Sequence, residues 1–275
     1  MFSVVSNKNR AKSKENITQV IDSIKFVEPS LLRDKRVTAN LRRFILDAPL
    51  TRLTVLGLVM YASRQLKSGA GILDVGAGDC PYKPIFADCT YKSTDFASTE
   101  YHRYREIDFI CPADDIPVSG RSFDAIVCTE VLEHVPEPQK VLREFNRVLK
   151  DDGSLFLTAP LVIQLHEEPY DFYRYTPYTY MNFMKETGFE VVFITPRGGW
   201  IACIANALRE MSLKPPRTVK GFFLYSFLFL PIFAVPMVAA RVLPFNVFAW
   251  LDKHLDKAQK FTAGFALHAR KVKDL

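Results

Sequence analysis

The sequence predicts an α/β protein with a doubly wound, mostly parallel sheet, and three observations carry that prediction. The first is the run Gly71-Ile72-Leu73-Asp74-Val75-Gly76-Ala77-Gly78-Asp79. It reads as a buried strand ending in an acid, followed by a tight glycine turn. Glycines two apart let the backbone take positive φ or pass where a Cβ would collide with a ligand, and nucleotide-like ligands bind at such strand-to-helix turns. The second is Asp95, 21 residues beyond Asp74 and at the end of the strand-like run Tyr91-Lys92-Ser93-Thr94. An acid at that distance is the usual acceptor for ribose hydroxyls in such folds. The third is the alternation of short apolar runs with helix-length segments, which implies right-handed βαβ units.

Taken in order, Ile17, Val20, Ile21 and Ile24 fall at helical spacing behind a possible Asn16 cap. Residues 1–49 read as a helical preamble to a domain over 50–275, whose first helix is the apolar stretch from Leu50 to Leu66. After the first two strands, Asp114-Asp115-Ile116-Pro117 leads into a strand over Ser122–Cys128, and Thr129–Val135 is predicted to be a helix. Behind Pro138, Val141, Leu142, Phe145, Val148 and Leu149 form one apolar face of a helix that Asp152-Gly153 is expected to end. Ser154–Ala159 is the next strand, and the alternation from Phe261 to Val272 predicts the last one.

These motifs in this order resemble the class I S-adenosylmethionine-dependent methyltransferases, in particular the type 11-like group, over roughly residues 71–197. The resemblance implies a Rossmann-like, seven-stranded sheet whose last strand is antiparallel and inserted between its neighbours. It implies S-adenosyl-L-methionine as cofactor, with Asp74, Gly76 and Gly78 forming the floor under its methionyl part and Asp95 accepting from the ribose. It places Asp114 or Asp115 by the adenine, and Glu130 and His134 beside the cofactor. Cys111-Pro112 stands where relatives often carry Gly-Asp, and Cys80-Pro81 where a dinucleotide fold needs its third glycine. The second departure argues against a nicotinamide cofactor.

The acceptor side is expected in a lid over 160–180, which follows the strand ending Thr158-Ala159-Pro160 and carries His166-Glu167-Glu168-Pro169-Tyr170-Asp171-Phe172-Tyr173-Arg174-Tyr175-Thr176. Methyl transfer to a hydroxyl needs alignment, exclusion of water and a base for the acceptor's proton. His166 is the candidate base, and Asp171 with Arg174 reads as an ion pair fixing the lid. No metal is expected, because among His166, Glu167 and Asp171 no second histidine stands at ligand spacing. The lid resembles that of bacterial methyltransferases in surface-glycan and lipid pathways.

The chain has 275 residues, 48% apolar, with a formal charge of +6, enough to bury a full core. Five scattered cysteines with no C-x-x-C pair read as reduced thiols of a cytosolic protein. Residues 7–14 are polar and basic, so no cleaved signal peptide is expected. Residues 221–240 carry no charge, are flanked by Lys214, Arg217, Lys220 and Arg241, and contain Pro231 and Pro236. Twenty such residues match the thickness of a bilayer core, but a simple span would carry the last strand away from its sheet. Within an insertion over about 198–260, the alternatives are a kinked hairpin dipping into one leaflet, a buried cap over the acceptor pocket, or a span; the dipping hairpin is favoured.

The expected protein is therefore peripheral or monotopic on the cytoplasmic membrane face and methylates oxygen on a lipid, lipid-linked glycan or other amphiphile. A quinone-ring or soluble small-molecule methyltransferase is the alternative enzyme, and a non-catalytic cofactor-binding scaffold the alternative of another class. Nucleic acid is not an expected partner, since Thr129-Glu130-Val131 replaces the Asn/Asp-Pro-Pro-aromatic element of amino-base enzymes and no aromatic-basic face is present. The oligomeric state is left open.

Overall fold

The structure, a computed structural model, describes residues 4–5, 22, 24, 29–47, 49–96, 107–213, 245–255 and 260–274. Its strands are β1 (Val4–Val5), β2 (Gly71–Val75), β3 (Thr90–Asp95), β4 (Phe109–Ile110), β5 (Phe123–Thr129), β6 (Leu149–Pro160), β7 (Phe189–Arg197) and β8 (Gly264–Lys271). They form one sheet in the order β1-β7-β8-β6-β5-β2-β3-β4. The pairs from β4 across to β6 are parallel. β8 lies antiparallel between β6 and β7, so the inserted, reversed last strand is present. The two-residue β1 adds an eighth strand antiparallel to β7.

β2 is the first of the parallel strands, and the chain moves outward from it to β3 and β4 before returning to β5 on its other side. That reversal makes a crevice at the carboxyl ends of β2 and β5, where ligands bind in open α/β sheets.

The pleat sorts side chains onto the two faces of the sheet. Ile72, Ala125, Val127, Phe156 and Ala266 join one core cluster, while Leu73, Val75, Ile126, Cys128, Leu155 and Leu267 join the other. The first face is covered by helix α2 (Pro49–Gln65). Its residues 53–62 are all buried, which is why its sequence is apolar on every side rather than along one stripe. Helix α1 (Ala39–Asp47) contributes Leu41 and Ile45, and Ile24 and Val37 pack beside them. Within residues 1–49, Ile24, Val37, Leu41 and Ile45 thus share the core that covers the sheet. On the other face, α3 (Pro138–Val148) buries Val141, Leu142, Phe145 and Val148 as its periodicity predicts, next to Tyr180 and Met184 of α4 (Pro177–Glu186).

Two local expectations are corrected. The helix predicted to run to Asp152-Gly153 ends at Val148: Leu149 is already extended (φ −75°, ψ 139°), opens β6 and pairs with Phe123 of β5. Asp152, at φ 59°, and Gly153 instead make a kink inside that strand. The helix predicted over Thr129–Val135 is a single 3-10 turn, Leu132–His134. Glu130 at φ 56° breaks the backbone before it, and Pro136 follows at once.

After β7 come α5 (Trp200–Leu213) and α6 (Phe245–Leu255). The buried Asp252 carboxylate accepts from Gly199 N at 2.7 Å and Ala202 N at 3.2 Å. It thereby satisfies two of the amides left open at the start of α5. Residues 221–240 lie outside the described residues, and so does the choice among dipping, capping and spanning. Among the described residues no helix is long and apolar enough to cross a membrane. All five cysteines are free.

Candidate functional site

The glycine turn is held by hydrogen bonds from the neighbouring strand. Gly76 N and Ala77 N donate to Thr94 O at 2.8 and 3.1 Å, and Gly78 N donates to Asp95 Oδ2 at 2.9 Å. Gly76 and Gly78 have φ of 68° and 54°, the left-handed region that favours glycine. A Cβ on Gly76 would also overlap Val131 Cγ2, so the loop after β5 lies directly on the turn. The first and second predicted binding elements are therefore joined: one Asp95 oxygen fixes the turn at the rim of the crevice.

Asp74 supports this turn from below. It is buried, and its Oδ2 accepts from Tyr91 Oη at 2.6 Å. Burial pushes its carboxyl up to about 7, against the pull of the Tyr91 hydrogen bond and with a further push from the Asp95 charge. Asp114 and Asp115 are exposed on the loop after β4. Cys111, in that loop, is tied to β3 through Cys111 N to Asp95 O at 3.0 Å, which brings the predicted adenine side next to the ribose side. Phe96, 60% exposed, follows Asp95 at the same edge.

The lid packs on the 3-10 turn. Phe172 N and Tyr173 N both donate to Glu133 O, at 2.9 and 3.2 Å. Tyr175 Oη donates to Leu132 O and Tyr173 Oη to Pro136 O, at 2.8 and 3.0 Å. Within the lid, Arg174 grips Asp171 with two parallel hydrogen bonds of 2.6 and 2.8 Å, and His166 N donates to Asp171 Oδ2 at 3.1 Å. Arg174 holds the Asp171 carboxyl well below the usual carboxylate range. The predicted clamp is thus formed, and it anchors the backbone of the predicted base. Thr176 caps α4, its Oγ1 accepting from Thr179 N, so the end of the predicted lid, residues 177–180, is the first turn of that helix.

His134 stands at the end of the 3-10 turn. Its ring faces the lid, with Nδ1 2.7 Å from Tyr170 O and its centroid 4.7 Å from that of His166. Glu133 is fully buried between them, and neither of its carboxylate oxygens has a hydrogen-bond partner. Burial, with the Glu130 charge adding to it, raises the Glu133 carboxyl well above its ordinary range. Glu130 is engaged by Arg197 at the end of β7, whose Nη2 donates to Glu130 Oε1 at 2.7 Å. Arg197 is 1% exposed, with Nε and Nη1 unpartnered. Sequence reasoning misses Arg197, because no local pattern shows its partner Glu130.

Residues 73–157 match the family described as "Methyltransferase domain". A stretch of 123 residues is 32% identical to a ubiquinone biosynthesis O-methyltransferase of Xanthomonas campestris, covering 40% of this chain and 52% of that protein. A shorter stretch of 38 residues is 53% identical to the protein of the same name from Xanthomonas oryzae, covering 14% and 16%. The chain therefore spans about half the length, or less, of these curated relatives. Among solved structures, one from Galdieria sulphuraria, provisionally named a sarcosine dimethylglycine methyltransferase, superposes with a TM-score of 0.50. The identity is 17% and the overlap 92% of both chains, a likeness of fold.

Proposed function

Because this chain belongs to the class I S-adenosylmethionine-dependent methyltransferases, we propose that it moves a methyl group from that donor to oxygen on an amphiphilic acceptor. The observation that carries this reading is the left-handed turn at Gly76 and Gly78, with the second glycine's amide bound to Asp95 at the sheet's switch point. The residues fit the donor. Gly76 and Gly78 leave the turn without side chains, Asp95 stands beside it for hydroxyls, and Asp114, Asp115 and Phe96 lie on the adjoining edge. When bound, S-adenosylmethionine would supply an electrophilic sulfonium methyl group, with the neutral thioether as the leaving group when an acceptor oxygen bonds to the methyl carbon.

This chain's own residues supply the rest. The lid, tied by its backbone to Glu133, excludes water on the acceptor side and aligns the acceptor. His134 beneath the lid and His166 within it are the basic groups here, and His166 is held in place through Asp171 and Arg174. In this reading they meet the acceptor's hydroxyl proton.

An amphiphile is favoured by apolar side chains at the lid surface, with Val162, Ile163, Leu165, Tyr170 and Phe172 all exposed. Trp200 and Ile204 of α5 and Trp250 of α6 are exposed as well, on the helices that precede and follow residues 221–240 in the chain. A peripheral or monotopic place on the cytoplasmic membrane face, with the acceptor drawn from the bilayer, follows from that reading. The names of the curated relatives add a ring hydroxyl on a quinone precursor to the acceptors worth testing.

The test offers the protein one hydroxyl-bearing ring with and without an isoprenoid tail, together with lipid-linked glycans in vesicles. Transfer to a tailed or lipid-linked acceptor is expected over transfer to the tail-free ring. In the same assay, His166→Ala should lower turnover by about 10²–10⁴-fold while donor affinity stays within about twofold. Equal transfer to the tail-free ring would overturn the amphiphile reading, and undiminished turnover would remove His166 from the chemistry.

A further inference from the structure

We propose that Glu133, His134 and His166 form a binding site for a divalent first-row transition ion such as Zn²⁺ or Mn²⁺. Two imidazole nitrogens and a buried carboxylate face one another here. His134 Nδ1 lies 2.7 Å from Tyr170 O. A carbonyl only accepts, so Nδ1 carries the proton and the neutral ring leaves a lone pair on Nε2, 3.6 Å from Glu133 Oε1. His166 repeats the pattern. Its Nδ1 faces Gln164 O at 3.2 Å and Asp171 Oδ2 at 3.4 Å, both acceptors, and its Nε2 lies 4.0 Å from the same Glu133 oxygen. The two Nε2–Glu133 separations are too long for hydrogen bonds.

The buried carboxylate is a second, independent observation. Glu133 has 0% exposure and no hydrogen-bond donor on either oxygen, a costly state for an ionised group unless a cation or metal pairs with it. One ligand atom from each residue lies within 4.8 Å of the others. Ligands about 2.1 Å from a tetrahedral ion stand about 3.4 Å apart, so the three make a slightly open cage that an ion would draw together. Both histidines also have the outer partner usual for metal-bound imidazole, a carbonyl for His134 and a carbonyl with a carboxylate for His166. Two imidazoles with one carboxylate suit a transition ion rather than Ca²⁺ or Mg²⁺. Glu167 Oε2 lies 3.9 Å from His134 Nε2, within reach as a further oxygen.

The expectation of no metal weighed only neighbours inside the lid. His134 comes from the turn after β5, 32 residues upstream of His166, and an ion shared between them would staple the lid to the sheet. With the ion bound both histidines are ligands, so the base role given to His166 belongs to the ion-free site; the ion's remaining position would hold an acceptor oxygen. That last role rests on the methyltransferase reading, but the cation site itself does not.

The experiment strips the full-length protein with a chelator and titrates it with Co²⁺, following visible ligand-field absorption, with Zn²⁺ added in competition. Donor binding is measured by calorimetry on the same sample. One Co²⁺ per chain, displaced by Zn²⁺, is expected. His166→Asn, at a partly exposed lid position, and Glu133→Gln should each weaken Co²⁺ binding at least tenfold with unchanged far-UV circular dichroism. Absence of a stoichiometric Co²⁺ band in the parent overturns the site, whatever the variants do, and so does equal affinity in folded His166→Asn. Loss of donor binding with Co²⁺ binding intact would count against the methyl-transfer reading and leave the metal site standing.

Discussion

Gly76→Ala is expected to destabilise this protein by about 2–5 kcal/mol and to abolish donor binding. A left-handed backbone costs a residue with a Cβ about 1–2 kcal/mol, and Gly76 sits at φ 68°. Forcing a methyl group into packed space costs a further 1–3 kcal/mol or so, and the new Cβ would overlap Val131 Cγ2. The two contributions can be separated. Val131→Ala removes the overlapping methyl, so Gly76→Ala/Val131→Ala should recover the packing share but not the backbone share. Urea unfolding of the two single variants and the double variant would give a coupling of about 1–3 kcal/mol. Strict additivity would mean that the loop after β5 does not rest on the turn.

The second large effect lies in the dependence of stability on pH, where two buried groups act with opposite sign. His268, buried in β8 between Tyr61 and Ser154, is lowered to about 3, mainly by burial and further by Arg270. The unfolded chain then binds a proton below about pH 6.5 that the folded chain refuses, so stability falls on acidification from about 6.5 towards 3. Asp74 does the reverse. Its folded carboxyl holds a proton up to about pH 7 while the unfolded one releases it near 4, so it lowers stability as pH rises through that window. One unit is worth about 1.4 kcal/mol, so each full effect is on the order of 4–5 kcal/mol, and the two offset each other between about pH 4 and 6.5. Asp74→Asn, measured against the parent, should therefore gain stability as pH rises from 4 to 7. His268→Gln should instead become relatively more stable as pH falls from 6.5 to 4. Chemical denaturation across that range reads both differences. Curves parallel to the parent's would show that neither group is held away from its ordinary range.

What the sequence reveals follows from how local each signal is. The strand-acid-glycine element, the second acid at Asp95, the apolar face of α3 and the reversed last strand are all written in contiguous residues, and the structure places them as expected. The Asp171–Arg174 clamp is legible for the same reason, as its partners are three residues apart. The end of α3 is misjudged because Asp152-Gly153 looks like a helix stop, whereas Leu149 is drawn out of the helix by its pairing with Phe123. The turn at 132–134 is overextended because nothing nearby announces a positive φ at Glu130. Arg197 with Glu130, and His134 with His166, meet across 67 and 32 residues. Such pairs exist only after the sheet has closed and the lid has folded back, and no spacing rule reaches them.

The account depends on the crevice at Gly76, Gly78 and Asp95 binding a sulfonium methyl donor. Isothermal titration of the purified protein with S-adenosylmethionine and with its demethylated product tests this most directly. It should show one site per chain for each ligand, and no heat above dilution for Gly76→Ala. A folded parent protein that takes up neither compound would contradict the account at its base.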